Sequence, residues 1–188
     1  MDPKRIVITG GPGTGKTSIV TQLEDRGFHC FHEIIRSMTL DAKKEDRPEA
    51  FVTNPLAFVS DPYVFNQNLL EGRIVQYEKA AHIKAPLVFY DRGIPDILGY
   101  MDYFEQAYEA HFVAACSENR YDKVVLLPPW EDIYVSDNER MESFEEAMDI
   151  HDRLKAIYVR FGYKPLAVPM GPVEERVSFI LNELNGEE

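Results

Sequence analysis

The sequence contains one glycine-rich run whose residue types and spacing suit phosphate chemistry. The run reads Gly10-Gly11-Pro12-Gly13-Thr14-Gly15-Lys16-Thr17 and fits the pattern G-x-x-x-x-G-K-[ST]. Glycines adopt backbone torsions closed to other residues, so consecutive N–H groups can turn inward around phosphate oxygens. An apolar run precedes the loop and an amphipathic run follows it, which is the context that the motif requires. The pattern predicts a loop that binds the phosphates of a nucleoside triphosphate.

The last residues of this loop have separate expected roles. We expect Lys16 to reach the β- and γ-phosphates and Thr17 to bind Mg²⁺. The N-terminus of the helix that begins there adds a favourable dipole for anions. A dinucleotide-binding turn is a weaker interpretation, because the glycines of the run fit no register of G-x-G-x-x-G. The residues expected to contact the nucleotide are Gly11, Pro12, Gly13, Thr14, Gly15, Lys16, Thr17 and Ser18.

A carboxylate and a guanidinium follow the apolar run 87–90. A carboxylate at the tip of a strand beside a phosphate loop can bind Mg²⁺ or its waters, and we assign this role to Asp91. Arg92 is expected to face the transferred or acceptor phosphate as a planar donor. Asp96 and Tyr100 are four residues apart, so they share a helical face next to this site and are expected to bind the substrate. The alternative is an ordinary strand-end turn.

Glu33 and Arg36 follow the second predicted strand. Ligands of α/β sheets bind at the carboxyl ends of the strands, so this position suits a catalytic carboxylate. Glu33 can orient or deprotonate an acceptor hydroxyl, and Arg36 is expected to bind the substrate. The alternative is an acid at the start of a helix beside a solvated arginine.

A second arginine candidate, Arg140, lies three residues after Asp137 in a charged segment. An arginine on a mobile segment can close over the triphosphate and stabilise the charge of the transition state. We therefore include Arg140 among the catalytic candidates. The alternative is a solvated charged loop.

Five apolar runs predict the strands that position these residues. They are continuous rather than alternating, which indicates parallel strands covered on both faces. Amphipathic segments between them predict helices over 16–26, from Asp61 to about residue 83, from Ser143 to 161, and after Pro172. This alternation predicts a doubly wound, three-layer α/β sandwich. The strand runs are 5–9, 28–31, 87–90, 124–127 and 166–168.

The chain shows no central linker and no internal repeat, which predicts a single domain over residues 1–188. Residues 39–60 interrupt the pattern of strands and helices, because they are polar at first and show no clean period. A segment of this length is either a substrate-side insertion that covers the site or a mobile surface insertion.

The composition limits the classes of partner. A net charge of −12 disfavours a nucleic-acid groove, which requires clustered Lys and Arg. No apolar run approaches the roughly 20 residues that span a bilayer, and no signal-peptide pattern precedes the first strand. The two cysteines have no CxxC spacing, which favours reduced thiols and a cytoplasmic location.

The motifs together resemble a family of small P-loop ATPases and kinases related to ribosylnicotinamide kinase and, more distantly, to deoxynucleoside and thymidylate kinases. The resemblance implies a five-stranded parallel sheet of order 2-3-1-4-5 and a lid near residues 131–143. The features that carry it are the run 10–17, Glu33-x-x-Arg36, Asp91-Arg92-Gly93 with Asp96 and Tyr100, Pro129 with Tyr134-x-x-Asp137-x-x-Arg140, and the final run Val168-Pro169…Val173-Glu174-Glu175-Arg176-Val177.

Two functions fit these observations. The first is a kinase that transfers the γ-phosphate of ATP, with Mg²⁺, to a nucleoside- or nucleotide-like acceptor, because Glu33, Arg36 and Arg92 are groups that a plain NTPase does not need. The second is a regulatory ATPase or GTPase module without a small-molecule acceptor. The sequence contains no N-K-x-D for guanine, which disfavours a GTP switch.

Overall fold

A five-stranded parallel sheet forms the centre of the molecule. The computed structural model describes residues 2–35, 61–134 and 143–186. Every paired strand is parallel and the order is β2-β3-β1-β4-β5, so the predicted fold class and strand order are confirmed. The strands are β1 (Lys4–Thr9), β2 (His29–Phe31), β3 (Leu87–Asp91), β4 (Lys123–Leu126) and β5 (Leu166–Ala167).

Six α-helices flank the sheet within the described residues. Two short 3-10 helices, Ala80–His82 and Glu131–Ile133, accompany them. No described helix combines the length and the apolar character needed to cross a membrane. The α-helices are α1 (Lys16–Asp25), α2 (Pro62–Lys79), α3 (Ile94–Tyr103), α4 (Ala110–Glu118), α5 (Phe144–Arg160) and α6 (Val173–Asn185).

Each face of the sheet packs against its own set of helices. Alternate strand residues point to opposite faces, as Val7 and Ile8 of β1 illustrate, and each falls in a different buried cluster. One cluster joins the sheet to α2, α3, α4 and α5, and the other joins it to α1 and α6. Both faces are therefore covered, which explains why the strand sequences are continuously apolar.

The helix caps predicted from the sequence form hydrogen bonds between neighbouring residues in the structure. The Asp61 side chain accepts hydrogen bonds from the N–H groups of Tyr63 and Val64 at 3.0 and 3.2 Å, which caps α2. Ser143 and Glu146 form the predicted capping box at the start of α5. These two caps fix where the long helices begin, and both helices pack beside the site described below.

The structure corrects two details of the predicted elements. The α-helix that begins after Asp61 ends at Lys79, and the chain then tightens into the 3-10 turn Ala80–His82. Helices α3 and α4 were not delimited from the sequence. Helix α3 is buried on most of its surface because it packs against α5 and α2.

Candidate active site

The predicted phosphate loop lies between the central strand β1 and the N-terminus of α1. Gly13 and Gly15 have φ angles of 71° and 82°, in the left-handed region that favours glycine. A Cβ atom on Gly13 would lie 2.4 Å from Cδ2 of Tyr134, so the close approach of that ring also requires glycine. The glycines of the motif are thus explained by both torsion and space, and the loop has the form that can direct N–H groups at phosphate oxygens.

Lys16 is the cation of this loop. Its Nζ lies 3.4 Å from the carbonyl oxygen of Gly11. Burial and the neighbouring charge of Arg92 lower the pKa of Lys16 to about 8, while Asp91 and Glu33 act in the opposite direction. A partly buried ammonium group with a lowered pKa is stabilised by an incoming anion, which is the behaviour expected at a triphosphate site.

Asp91 ends β3, the strand next to β1. Asp91 is level with Ile8 in the parallel register and is 3% exposed. The strand order therefore brings its carboxylate to the edge of the sheet where the phosphate loop begins. Thr17 lies on the first turn of α1 at the same edge. A hydroxyl and a carboxylate are the oxygen ligands that Mg²⁺ uses in such sites, so this pair fits the predicted metal role.

Arg92 links the phosphate loop to Glu33. Its Nε donates to Oε1 of Glu33 at 2.7 Å, and its Nη1 donates to the carbonyl oxygen of Gly10 at 3.2 Å. Its guanidinium carbon lies 5.0 Å from the centre of the Tyr100 ring. The residue has a φ of 74°, a strained torsion for a side-chain-bearing residue. One guanidinium is thus held between the phosphate loop and the carboxylate predicted to serve the acceptor.

Glu33 lies two residues after β2, the edge strand beside β3. Burial alone would raise its pKa, but the charges of Arg92, Lys16 and Arg73 together outweigh burial and lower the pKa below its usual value. Glu33 is therefore ionised at neutral pH. An ionised carboxylate at this position can accept a hydrogen bond from an acceptor hydroxyl.

Asp96 is fully buried next to Arg92, and its carboxylate accepts several hydrogen bonds. Its Oδ1 accepts from the Thr9 hydroxyl and from Nη1 of Arg92, the latter at 3.3 Å. Its Oδ2 accepts from the Tyr158 hydroxyl at 2.5 Å and from the Gly93 N–H at 2.9 Å. Four donors occupy this carboxylate, and its exposure is 0%. The geometry therefore gives Asp96 the means to hold Arg92 in place, and Tyr100 stands on the next turn of α3.

Some predicted residues lie outside the part of the chain that the structure describes. These are Arg36, Arg140 and the insertion 39–60. Of the predicted lid, residues 131–134 and 143 are described, and Tyr134 lies against the phosphate loop at Gly13. The described start of the lid is thus adjacent to the nucleotide side of the site.

Two buried arginines of the site were assigned no role from the sequence. Nη1 of Arg73, on α2, donates to the carbonyl oxygen of Gly93, and its charge acts on Glu33. Arg176, on α6, donates from Nη2 to the carbonyl oxygen of Thr14 at 2.9 Å. Each arginine stands directly beside an apolar residue of its helix, Ile74 or Val177, and this adjacency to the inward face was the available signal.

The described residues contain no group of three or more His, Cys, Asp or Glu side chains that could hold a metal ion alone. A surface groove of about 360 Å³ lies elsewhere, between α2 and α4, and its lining includes none of the predicted site residues.

The sequence matches the family model of an AAA domain over residues 5–176. No curated protein matches the chain. Among solved structures, it is similar to deoxyadenosine kinase from M. mycoides with products dCMP and a flexible dCDP bound, with 16% identity and a TM-score of 0.64 over 97% of this chain and 99% of that chain.

Two further solved structures are similar over nearly the whole chain. Thymidylate kinase from Candida albicans has 11% identity and a TM-score of 0.71, covering 98% of this chain and 92% of that chain. The NadR protein in complex with NR has 15% identity and a TM-score of 0.71, covering 98% of this chain and 50% of that chain. At these identities the likeness shows a shared fold, and the predicted resemblance to this group of P-loop proteins is confirmed.

Proposed function

The chain belongs to the AAA domain family, and from the geometry of its site we propose that it is a kinase that transfers the γ-phosphate of ATP to a nucleoside- or nucleotide-like acceptor. The observation that carries the proposal is the position of Arg92. Its buried guanidinium bonds to the phosphate loop at Gly10 and to Glu33 across the site. Glu33 and Arg92 together offer a hydrogen-bond acceptor for an acceptor hydroxyl and a cation for the transferred phosphate, which supports a kinase.

The proposed reaction assigns each side chain a task. The acceptor oxygen forms a bond to the γ-phosphorus while the bond from that phosphorus to the β–γ bridging oxygen breaks, and ADP leaves. Glu33 accepts the proton of an acceptor hydroxyl. Lys16 and Arg92 stabilise the charge on the phosphate oxygens, and Asp96 keeps Arg92 oriented.

Mg²⁺ would neutralise phosphate charge and orient the triphosphate, and Thr17 and Asp91 are the residues that would hold it. The proposal also includes the residues that the structure does not describe. Arg36 would bind the acceptor and Arg140 would close over the triphosphate, both as predicted from the sequence. We place the reaction in the cytoplasm, in keeping with the cysteine pattern.

Acceptor-dependent ADP release tests the proposal. ATP and Mg²⁺ are supplied with a panel of nucleosides and nucleoside monophosphates, including deoxyadenosine and thymidylate, and with no acceptor. We expect at least one acceptor to raise ADP release well above the basal rate and to appear as a phosphorylated product. Equal rates with every acceptor and with none would overturn the kinase and favour a regulatory ATPase.

Substitution of the proposed magnesium residues should change the metal requirement. Thr17→Ala and Asp91→Asn each remove an oxygen ligand or its support, so the Mg²⁺ concentration for half-maximal activity should rise about tenfold. Asp25→Asn is the matched control, because it removes an exposed carboxylate at the far end of α1. A Mg²⁺ titration of Asp91→Asn that overlays the parent titration would make Asp91 a structural residue.

The Arg92→Lys variant should distinguish the contribution of the positive charge from that of the planar donor geometry. The lysine keeps the positive charge but loses the planar set of donors that reaches Glu33 and Gly10 together. We expect kcat/KM for the acceptor to fall about 10- to 100-fold, as for the loss of a hydrogen bond to a charged group. Steady-state kinetics with varied acceptor measure the effect, and ATP affinity from calorimetry should change much less. An equal loss for ATP and acceptor contradicts the assigned role.

A further inference from the structure

Within residues 2–35, 61–134 and 143–186, one buried cation beside the phosphate loop has no acidic partner. Arg176 is 2% exposed and donates from Nη2 to the carbonyl oxygen of Thr14. Its Nη1 lies 3.0 Å from the position that a Cβ atom on Gly15 would take, so the guanidinium packs directly against the loop. Arg176 therefore contacts the segment of the loop that leads into α1.

The charge of Arg176 is not balanced by the described part of the chain. No ion pair to Arg176 is found there, and its buried Nε has no hydrogen-bond partner. Burial lowers its pKa, and no neighbouring carboxylate raises it again. A buried cation without a counter-charge costs free energy, and the positive end of the α1 dipole lies on the same side.

Arg92 shows the contrast, because it pairs with both Glu33 and Asp96. Arg73 donates to the carbonyl oxygen of Gly93, and its charge still acts on the carboxylate of Glu33. Arg26 lies at the same contact between α1 and α6 and forms a surface ion pair with Glu174. The counter-charge that is missing at Arg176 can be supplied from the other side of the loop, where phosphates are expected to bind.

We propose that Arg176 is a positioning residue of the nucleotide site, which fixes the phosphate loop through the Thr14 carbonyl and has its charge neutralised by the bound phosphates. Nucleotide binding then offsets the free-energy cost of the unpaired buried charge in the nucleotide-free protein. The inference rests on the nucleotide-binding part of the proposed function and is independent of the acceptor.

Arg176→Met tests the charge, because methionine fills similar space without it. We expect the dissociation constants for ATP and for tripolyphosphate to rise about tenfold, since a cation close to several phosphate charges is lost. The urea midpoint of unfolding without nucleotide should stay at or above the parent value, because an unpaired buried charge is removed. Arg176→Lys should recover part of the affinity. Arg26→Met is the control and should leave both affinities unchanged.

The outcomes separate this inference from the kinase proposal, because binding is measured without acceptor. Parent-like affinity of Arg176→Met for ATP overturns the inference. A lower unfolding midpoint, with equal losses of affinity in the methionine and lysine variants, also overturns it, since Arg176 would then be only a packing residue. Failure of every acceptor in the turnover assay overturns the kinase and leaves the role of Arg176 standing.

Discussion

Lys16→Ala should abolish nearly all turnover and weaken ATP binding at least about tenfold. The ammonium group is removed at the point where negative charge develops on the transferred phosphate, and such groups contribute several orders of magnitude to the rate. The fold should persist, because Lys16 lies at the start of α1 and the buried residues of that helix are Ile19, Val20 and Leu23. Calorimetry with ATP and an ADP-release assay measure the two effects.

The pH dependence of ATP binding gives an independent test of Lys16. Its pKa in the nucleotide-free protein is lowered to about 8, and ATP binds the charged form more tightly. Affinity should therefore be constant below about pH 7 and should fall as the pH rises through 8. Lys16→Ala should remove this decline, whereas Lys79→Ala, which removes an exposed lysine of α2, should keep it. Unchanged affinity and turnover in Lys16→Ala would overturn the phosphate-loop assignment.

Glu33→Gln should lower acceptor-dependent turnover by about 10²- to 10⁴-fold, the usual range for loss of a general base. The amide keeps the shape of the side chain and can still accept from Arg92, so ATP affinity should remain within a few-fold of the parent. Because Glu33 is ionised well below neutral pH, the parent activity should not rise between pH 6 and 8 from titration of this group. Single-turnover kinetics at saturating ATP measure the step directly.

A matched control for this substitution is Glu71→Gln, which removes an exposed carboxylate from α2. It should leave turnover unchanged. If Glu33→Gln and the parent show the same basal hydrolysis and no acceptor stimulates either protein, Glu33 is a structural partner of Arg92. The nucleotide site would remain, and the regulatory ATPase would become the better description.

The sequence predicted the architecture well because its signals are local. Most strands contain a continuous apolar run, and the caps at Asp61 and Ser143 act within three residues of themselves. Glu33 and Arg92 were each predicted as site residues, but their direct bond is set by the pairing of β2 with β3. No local pattern contains the order of strands in space, so a contact across 59 residues could only be expected through the fold.

The buried polar residues were harder to predict than the apolar core. Asp96 was expected to face the substrate, yet the structure shows a carboxylate filled by four donors from β1, α5 and its own turn. The hydroxyl of Tyr158 reaches it across 62 residues. Arg73 and Arg176 were assigned no site role from the sequence, although both are buried in the structure. Tertiary packing, rather than helical periodicity, decides which charges are enclosed.

The strand order also has an evolutionary consequence. The phosphate loop follows β1, which has neighbours on both sides, whereas Glu33 follows β2, a three-residue strand at the margin of the sheet. Mutations at a margin disturb few partners, while mutations at the centre disturb many. In the proposed kinase, substitutions around Glu33 would therefore change acceptor recognition while the phosphate loop is retained. One phosphate-transfer site can in this way serve related enzymes that act on different acceptors.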